Sequence, residues 1–106
     1  MKKIKHTPQF KKDGKKVEQY KNFDPNTLDY YVNLLADGRR LPEKCRDHKL
    51  SKSSPKEYRG LRDFHLTPDI CVIYDITETT VTLHRIGKHN NLNLTEELIE
   101  KLTLSI

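Results

Sequence analysis

Hydrophobic positions change period along this chain, and each change marks an element. Lys3-Ile4-Lys5-His6 alternates, which predicts a short edge strand with Ile4 inward and lysines outward. Thr7-Pro8 then supplies helix-start grammar: a hydroxyl to accept an orphan N–H, and a proline where no N–H is needed. Phe10, Val17 and Tyr20 fall on one face of that helix, and Lys11, Lys12, Lys15 and Lys16 surround it. Gly14 weakens its middle by roughly 1 kcal/mol relative to alanine. Asp24-Pro25 repeats the same grammar. Leu28, Tyr31, Val32 and Leu35 keep the i, i+3, i+4, i+7 spacing of an amphipathic helix, and Gly38 suits its C-terminal stop. Two antiparallel helices joined by a turn from Asn22 to Asp24 are expected.

Beyond Arg39-Arg40-Leu41-Pro42 the helical period is lost, and Ser51-Lys52-Ser53-Ser54-Pro55-Lys56 is a loop by composition. Leu61 to Leu66 predicts a strand, Thr67-Pro68-Asp69 a tight turn, Ile70 to Ile76 a second strand, and Val81 to Ile86 a third after Thr77-Glu78-Thr79. Short connections between successive strands imply an antiparallel meander. Ile70, Val72, Tyr74 and Ile76 share the face that must meet the core. Helical spacing returns at Leu98, Ile99 and Leu102 after the capping residues Asn93 to Glu97, which predicts a short C-terminal helix. The order is β-α-α-β-β-β-α, an α+β fold with a mainly antiparallel, twisted sheet and the two N-terminal helices on one side.

Composition narrows this picture. The 106 residues suffice for one domain, taken as 1–106, and at 34% apolar the core must be small, with no second layer of buried strands. No apolar run is long enough for a membrane span, and Met1 to His6 lacks the apolar stretch of a signal peptide, so a cytoplasmic location is expected. Cys45 and Cys71 share no metal-knuckle or redox spacing, and Cys71 reads as a reduced core thiol. A net charge of +5 points to a polyanionic partner, nucleic acid or an acidic protein.

The polar residues at the strand edges carry the chemistry. If Phe64 and Leu66 enter the core, Asp63 and His65 lie on the other face of the sheet. His48 precedes the sheet, Asp69 occupies a turn, and His89 follows Gly87 at the end of the last strand. Histidine titrates near neutral pH, so two of them can serve as base and acid in one turnover. Cleavage of RNA by its own 2′-hydroxyl needs a base for the 2′-proton, cations for the phosphorane, and an acid for the leaving 5′-oxygen. Arg62, Arg85 and Lys88 are the candidate phosphate contacts, the arginines because a guanidinium matches two phosphate oxygens. Plainer readings stand beside these. Asp69 after Pro68 is also a turn former, Arg62 can pair with Asp63 or Asp47, and His6 and His84 have no site around them. His48, His65, Asp69 and His89 are also possible metal ligands, though without a His-x-x-x-His helix pair.

Asp47-His48-Lys49-Leu50, Tyr58-Arg59-Gly60-Leu61-Arg62-Asp63-Phe64-His65-Leu66-Thr67-Pro68-Asp69, Val72-Ile73-Tyr74 and Arg85-Ile86-Gly87-Lys88-His89 together resemble the YafQ branch of the RelE/ParE toxin superfamily. That branch carries D-H-x-L, G-x-R-D-x-H-x-x-P-D, an apolar strand ending in I-Y, and R-x-G-x-H. The resemblance implies a toxin of a bacterial type II toxin–antitoxin pair, a RelE-like fold, and ribosome-dependent cleavage of mRNA without a metal or other cofactor. It also implies a cognate antitoxin as partner, with operator DNA reached only through the antitoxin complex, and no membrane. By position, His48, His65, Asp69 and His89 match the family's active-site residues, and Arg85 a basic residue near the scissile phosphate. His89 is the expected acid, His48 or Asp69 the base, and His65 a phosphate contact. Ile70 and Asn93 depart from the pattern, Ile70 standing where the best-known family member has a tryptophan and Asn93 where a C-terminal phenylalanine is expected. The competing class is a non-catalytic RelE/ParE-fold toxin that acts by protein binding.

Overall fold

The computed structural model describes residues 1–50, 56–89 and 92. Most of the predicted 51–56 loop and all of the predicted C-terminal helix, with Asn93, lie outside the described residues.

The chain opens with strand β1 (Lys3–His6). Helix α1 (Pro8–Val17) follows at once, because the Thr7 side chain accepts from the Phe10 N–H at 3.1 Å. Helix α2 (Pro25–Ala36) starts in the same way, with Asp24 accepting from Asn26 N–H at 2.9 Å. It ends where Gly38 takes a positive φ of 74°. There the Gly38 and Arg39 N–H groups bond to the Leu35 and Leu34 carbonyls at 3.0 and 2.9 Å. That pair of bonds is a Schellman stop.

The remaining strands are β2 (His48–Lys49), β3 (Arg62–His65), β4 (Ile70–Ile76) and β5 (Thr80–Lys88). They form a five-stranded sheet in the order β1-β5-β4-β3-β2. β3, β4 and β5 make the predicted antiparallel meander, while β1 runs parallel to β5. β2 is a two-residue strand that the hydrophobic pattern did not mark; it pairs His48 with Asp63.

Phe64, Ile70, Val72, Tyr74, Val81, Leu83 and Ile86 form one face of the sheet, with Phe10, Val17, Tyr31, Val32 and Leu35 of the helices against it. Phe64 sits at the centre, edge-on to Tyr31 and Tyr74. The opposite face is also covered. Leu50, Tyr58, Cys71, Ile73 and Leu92 form a second, smaller apolar cluster, and Leu61 packs against it. The strand β4 is therefore buried on both sides from Ile70 to Tyr74.

One irregularity decides which way the end of β5 faces. Ile73 pairs with Arg85 and Tyr74 with Leu83, so His84 is an extra residue in β5. Leu83 and Ile86 both reach the helix side because of this bulge. Arg85 and Gly87 are turned to the side of Ile73 and Cys71.

α1 packs where β1 no longer covers β5. There Asp13, on the apolar stripe between Phe10 and Val17, is 8% exposed. Its carboxylate accepts from Ile86 N–H at 3.2 Å, Arg85 Nε at 2.7 Å and Arg85 Nη2 at 3.2 Å. A buried acid at this place closes an open strand edge and neutralises a guanidinium together.

Candidate active site

The second face of the sheet gathers three of the predicted histidines. His65 ends β3 opposite Cys71, and His89 follows β5 two residues past Gly87. The His65 and His89 rings lie 4.9 Å apart between centroids. His89 is also 3.1 Å from Cys71 Sγ through Nε2. A turn holds the backbone there: the Leu92 N–H bonds to the Lys88 and His89 carbonyls at 3.1 and 3.2 Å.

His48 enters through β2. Its Nδ1 is 2.7 Å from the Arg46 carbonyl, which can only accept, so Nδ1 carries a proton. In the neutral ring the free lone pair is then on Nε2. That nitrogen lies 3.9 Å from Asp63 Oδ2, and the Asp63 side chain is buried. Arg46 is the one non-glycine residue with positive φ among the described residues, at 48°. The strain aims its carbonyl at His48.

Burial, foremost, and then the neighbouring charges of His89, Arg46 and His48 hold His65 below the ordinary histidine range. His65 is therefore a neutral imidazole near pH 7. Asp69 sits at the rim, where its carboxylate accepts from Thr67 Oγ1 and Asn22 Nδ2, each at 2.8 Å. The Thr67 bond, then the Asn22 bond, keeps Asp69 below the usual carboxylate range.

The expected phosphate contacts stand differently from expectation. Arg62 is on the helix face, where its Nε donates to Asp47 Oδ1 at 3.3 Å and to the Tyr74 hydroxyl at 3.2 Å. Tyr74 in turn donates to Asp47. The reading of Arg62 as Asp47's partner holds. Arg85 is on the histidine face, but Asp13 takes two of its nitrogens and Tyr58 Oη accepts from Nη1 at 3.1 Å. Three of its five N–H groups are thus taken inside the protein, which ties it into the scaffold. Lys88 lies on the helix face, its Nζ 4.4 Å from the centroid of the Tyr20 ring.

A cation that the sequence reading missed faces the site instead. Arg46, with Lys44, Tyr31, Thr27, His65 and Thr67, lines a groove of about 550 Å³ that opens beside His65. Proximity in sequence to His48 was its one visible signal. The sequence places Asp63 on this face without a role, and Cys71 reads there only as a core thiol. Strand alternation puts Asp63 beside His65, and the tight Thr67–Asp69 turn fixes Cys71 across from it, so both were within reach of the register. Asp63, His65, Cys71 and His89 each present one donor atom, all within 4.8 Å of one another.

A family described as bacterial toxin of type II toxin–antitoxin system, YafQ, matches residues 2–94. The chain belongs to the YafQ toxin family. The mRNA interferase toxin YafQ of Escherichia coli strain B is 36% identical over 87 residues, 81% of this chain and 89% of the relative. Among solved structures, the E. coli DinJ–YafQ complex matches with a TM-score of 0.71 at 35% identity, over 87% of this chain and 98% of that one. A metal-bound toxin from Helicobacter pylori matches at 0.74 and 33% identity, over 87% and 99%. YafQ membership accounts for the α+β fold as observed. The Ile70 side chain is wholly buried on the helix face.

Proposed function

We propose that this YafQ-family chain is an mRNA interferase, the toxin of a type II pair, which cuts mRNA in the ribosome by acid–base attack of the 2′-hydroxyl. One observation carries the proposal: His48, His65 and His89 converge on one face of the sheet, two of the imidazoles 4.9 Å apart, with Arg46 in the groove beside His65. His48, with Nδ1 anchored on the Arg46 carbonyl, presents Nε2 as base. Asp69 is the poorer base, because the hydrogen bonds that it accepts stabilise the carboxylate. It shapes the rim with Thr67 and Asn22. His89 protonates the leaving 5′-oxygen. His65, one ring nitrogen of which donates to the Pro68 carbonyl, lines the phosphate side of the site, and Arg46 supplies the positive charge that the phosphorane requires. Base and acid together meet the proton demands of the step, so the reaction runs with no metal.

The E. coli relative's complex with DinJ supports a cognate antitoxin as partner here. No helix among the described residues is long and apolar enough to cross a membrane, which suits action on cytoplasmic mRNA.

The test is induced expression of wild type beside His89→Ala, with primer extension on cellular mRNA. Growth arrest with in-frame cleavage by the wild type alone is expected. Arrest by both proteins with intact mRNA would overturn the nuclease and favour a toxin that acts by protein binding.

A further inference from the structure

Beneath the two half-buried histidines lies a thiol for which the cleavage step has no use. Cys71 is fully buried, its Sγ 3.1 Å from His89 Nε2, and Asp63 is 3% exposed on the neighbouring strand. With His65 they bring one sulfur, two imidazole nitrogens and one carboxylate oxygen within 4.8 Å of one another. From this geometry we infer that the chain holds a zinc-type cation on Asp63, His65, Cys71 and His89, and that the bound ion switches the nuclease off.

The donor chemistry selects the ion. Thiolate with imidazole suits zinc, whereas calcium and magnesium demand an oxygen shell. A tetrahedron with metal–ligand bonds of about 2.0–2.3 Å has edges of roughly 3.3–3.8 Å. The sulfur–imidazole edge is already close to that length, and the widest separation needs contraction by about 1 Å, within reach of side-chain rotation. Charge balances as well. A divalent ion with one thiolate, one carboxylate and two neutral imidazoles is neutral, so it can be buried without a further counterion. Burial pushes the Cys71 thiol far above its ordinary range, so near neutral pH it keeps its proton until a cation displaces it to solvent. The entrance is the half-buried histidine side, and Cys71 forms the floor.

Four protein ligands make a closed shell, with no position left for an activated water. Such a site is inhibitory, because the ion occupies the ring nitrogen that must carry the proton of the acid His89, and it engages His65 as well. The switch rests on the proposed nuclease; the binding site does not.

The full chain, treated with chelator, is titrated with cobalt(II) as a spectroscopic stand-in. A thiolate-to-cobalt charge-transfer band saturating at one ion per chain is expected, displaced by zinc, retained in Cys45→Ala and absent in Cys71→Ser. His89→Gln, at a less buried position, should weaken zinc binding by more than roughly 100-fold in competition with a chromophoric chelator, beyond what loss of an outer-shell partner costs. No charge-transfer band, a band that survives Cys71→Ser, or unchanged zinc affinity in His89→Gln would each overturn the site. Zinc should also suppress wild-type cleavage relative to the chelator-treated protein. Cleavage unaffected by saturating zinc overturns the switch. A wild type that never cleaves mRNA refutes the nuclease, while the cobalt band still decides the site.

Discussion

The two faces of the sheet are stabilised by different means. Towards the helices, Phe64, Ile70, Val72, Tyr74, Val81, Leu83 and Ile86 meet apolar helix side chains, and the stabilising effect is loss of apolar surface to water. The other face has a smaller apolar cluster, with Asp63, His65 and Arg85 set around it. Polar groups there are held by specific partners, and such partners fix orientation, which area burial does not. Acid–base chemistry needs oriented lone pairs. The less apolar face is where it can be built.

The largest effect should come from breaking the helix side. Phe64→Ala removes a fully buried ring in contact with two tyrosines and should cost about 3–5 kcal/mol in urea unfolding. Asp13→Ala tests the link between the faces. It strands the Arg85 guanidinium and the Ile86 N–H, and about 3 kcal/mol of lost stability is expected; the partial exposure of Arg85 keeps it at the low end for a broken buried pair. A loss below about 1 kcal/mol would show that water replaces the carboxylate easily there.

Changes at His48 and Arg46 should leave stability nearly intact and strike activity. His48→Gln should lower the cleavage rate by at least about 100-fold, or ~2.7 kcal/mol on the barrier, measured in single-turnover cleavage of ribosome-bound mRNA. Arg46→Gln should weaken cleavage about tenfold, the loss of one charge-assisted contact, with unfolding free energy within about 0.5 kcal/mol of wild type. Should Arg85→Lys prove milder in activity than Arg46→Gln while costing more stability, the assignment of Arg85 to scaffold is sharpened; the reverse pattern breaks it.

The smallest effect is in pH. His65 is held below its unfolded value, so the unfolded chain takes up the proton more readily. Stability contributed by neutral His65 is fully present above about pH 6.5 and declines as pH falls through the lower folded value. His65→Gln should flatten that part of a stability–pH curve obtained by urea unfolding. A curve unchanged by the substitution would place His65 in ordinary solvent.

Local features of the sequence determined a good deal. Thr7-Pro8 and Asp24-Pro25 fix the helix starts, because capping acts within three residues, and Gly38 fixes a stop that only its positive φ allows. Alternation in Ile70 to Ile76 set the core face of β4 correctly, since period 2 is a property of the extended backbone. The motif positions His48, His65 and His89 do converge, and Asp69 stays at the rim. Tertiary structure alone decided the rest. Whether a guanidinium is available depends on which carboxylate lies opposite, and Asp47 and Asp13 reach Arg62 and Arg85 from residues far away in sequence. The bulge at His84 turns Arg85, Gly87 and the approach to His89 towards Cys71, and no local pattern states its place. Composition likewise concealed the second apolar cluster, because Leu50, Tyr58 and Leu92 come from segments outside the three long strands of the sheet. Periodicity is written by neighbours in the chain, whereas charge pairing and the coverage of a face are written by neighbours in space.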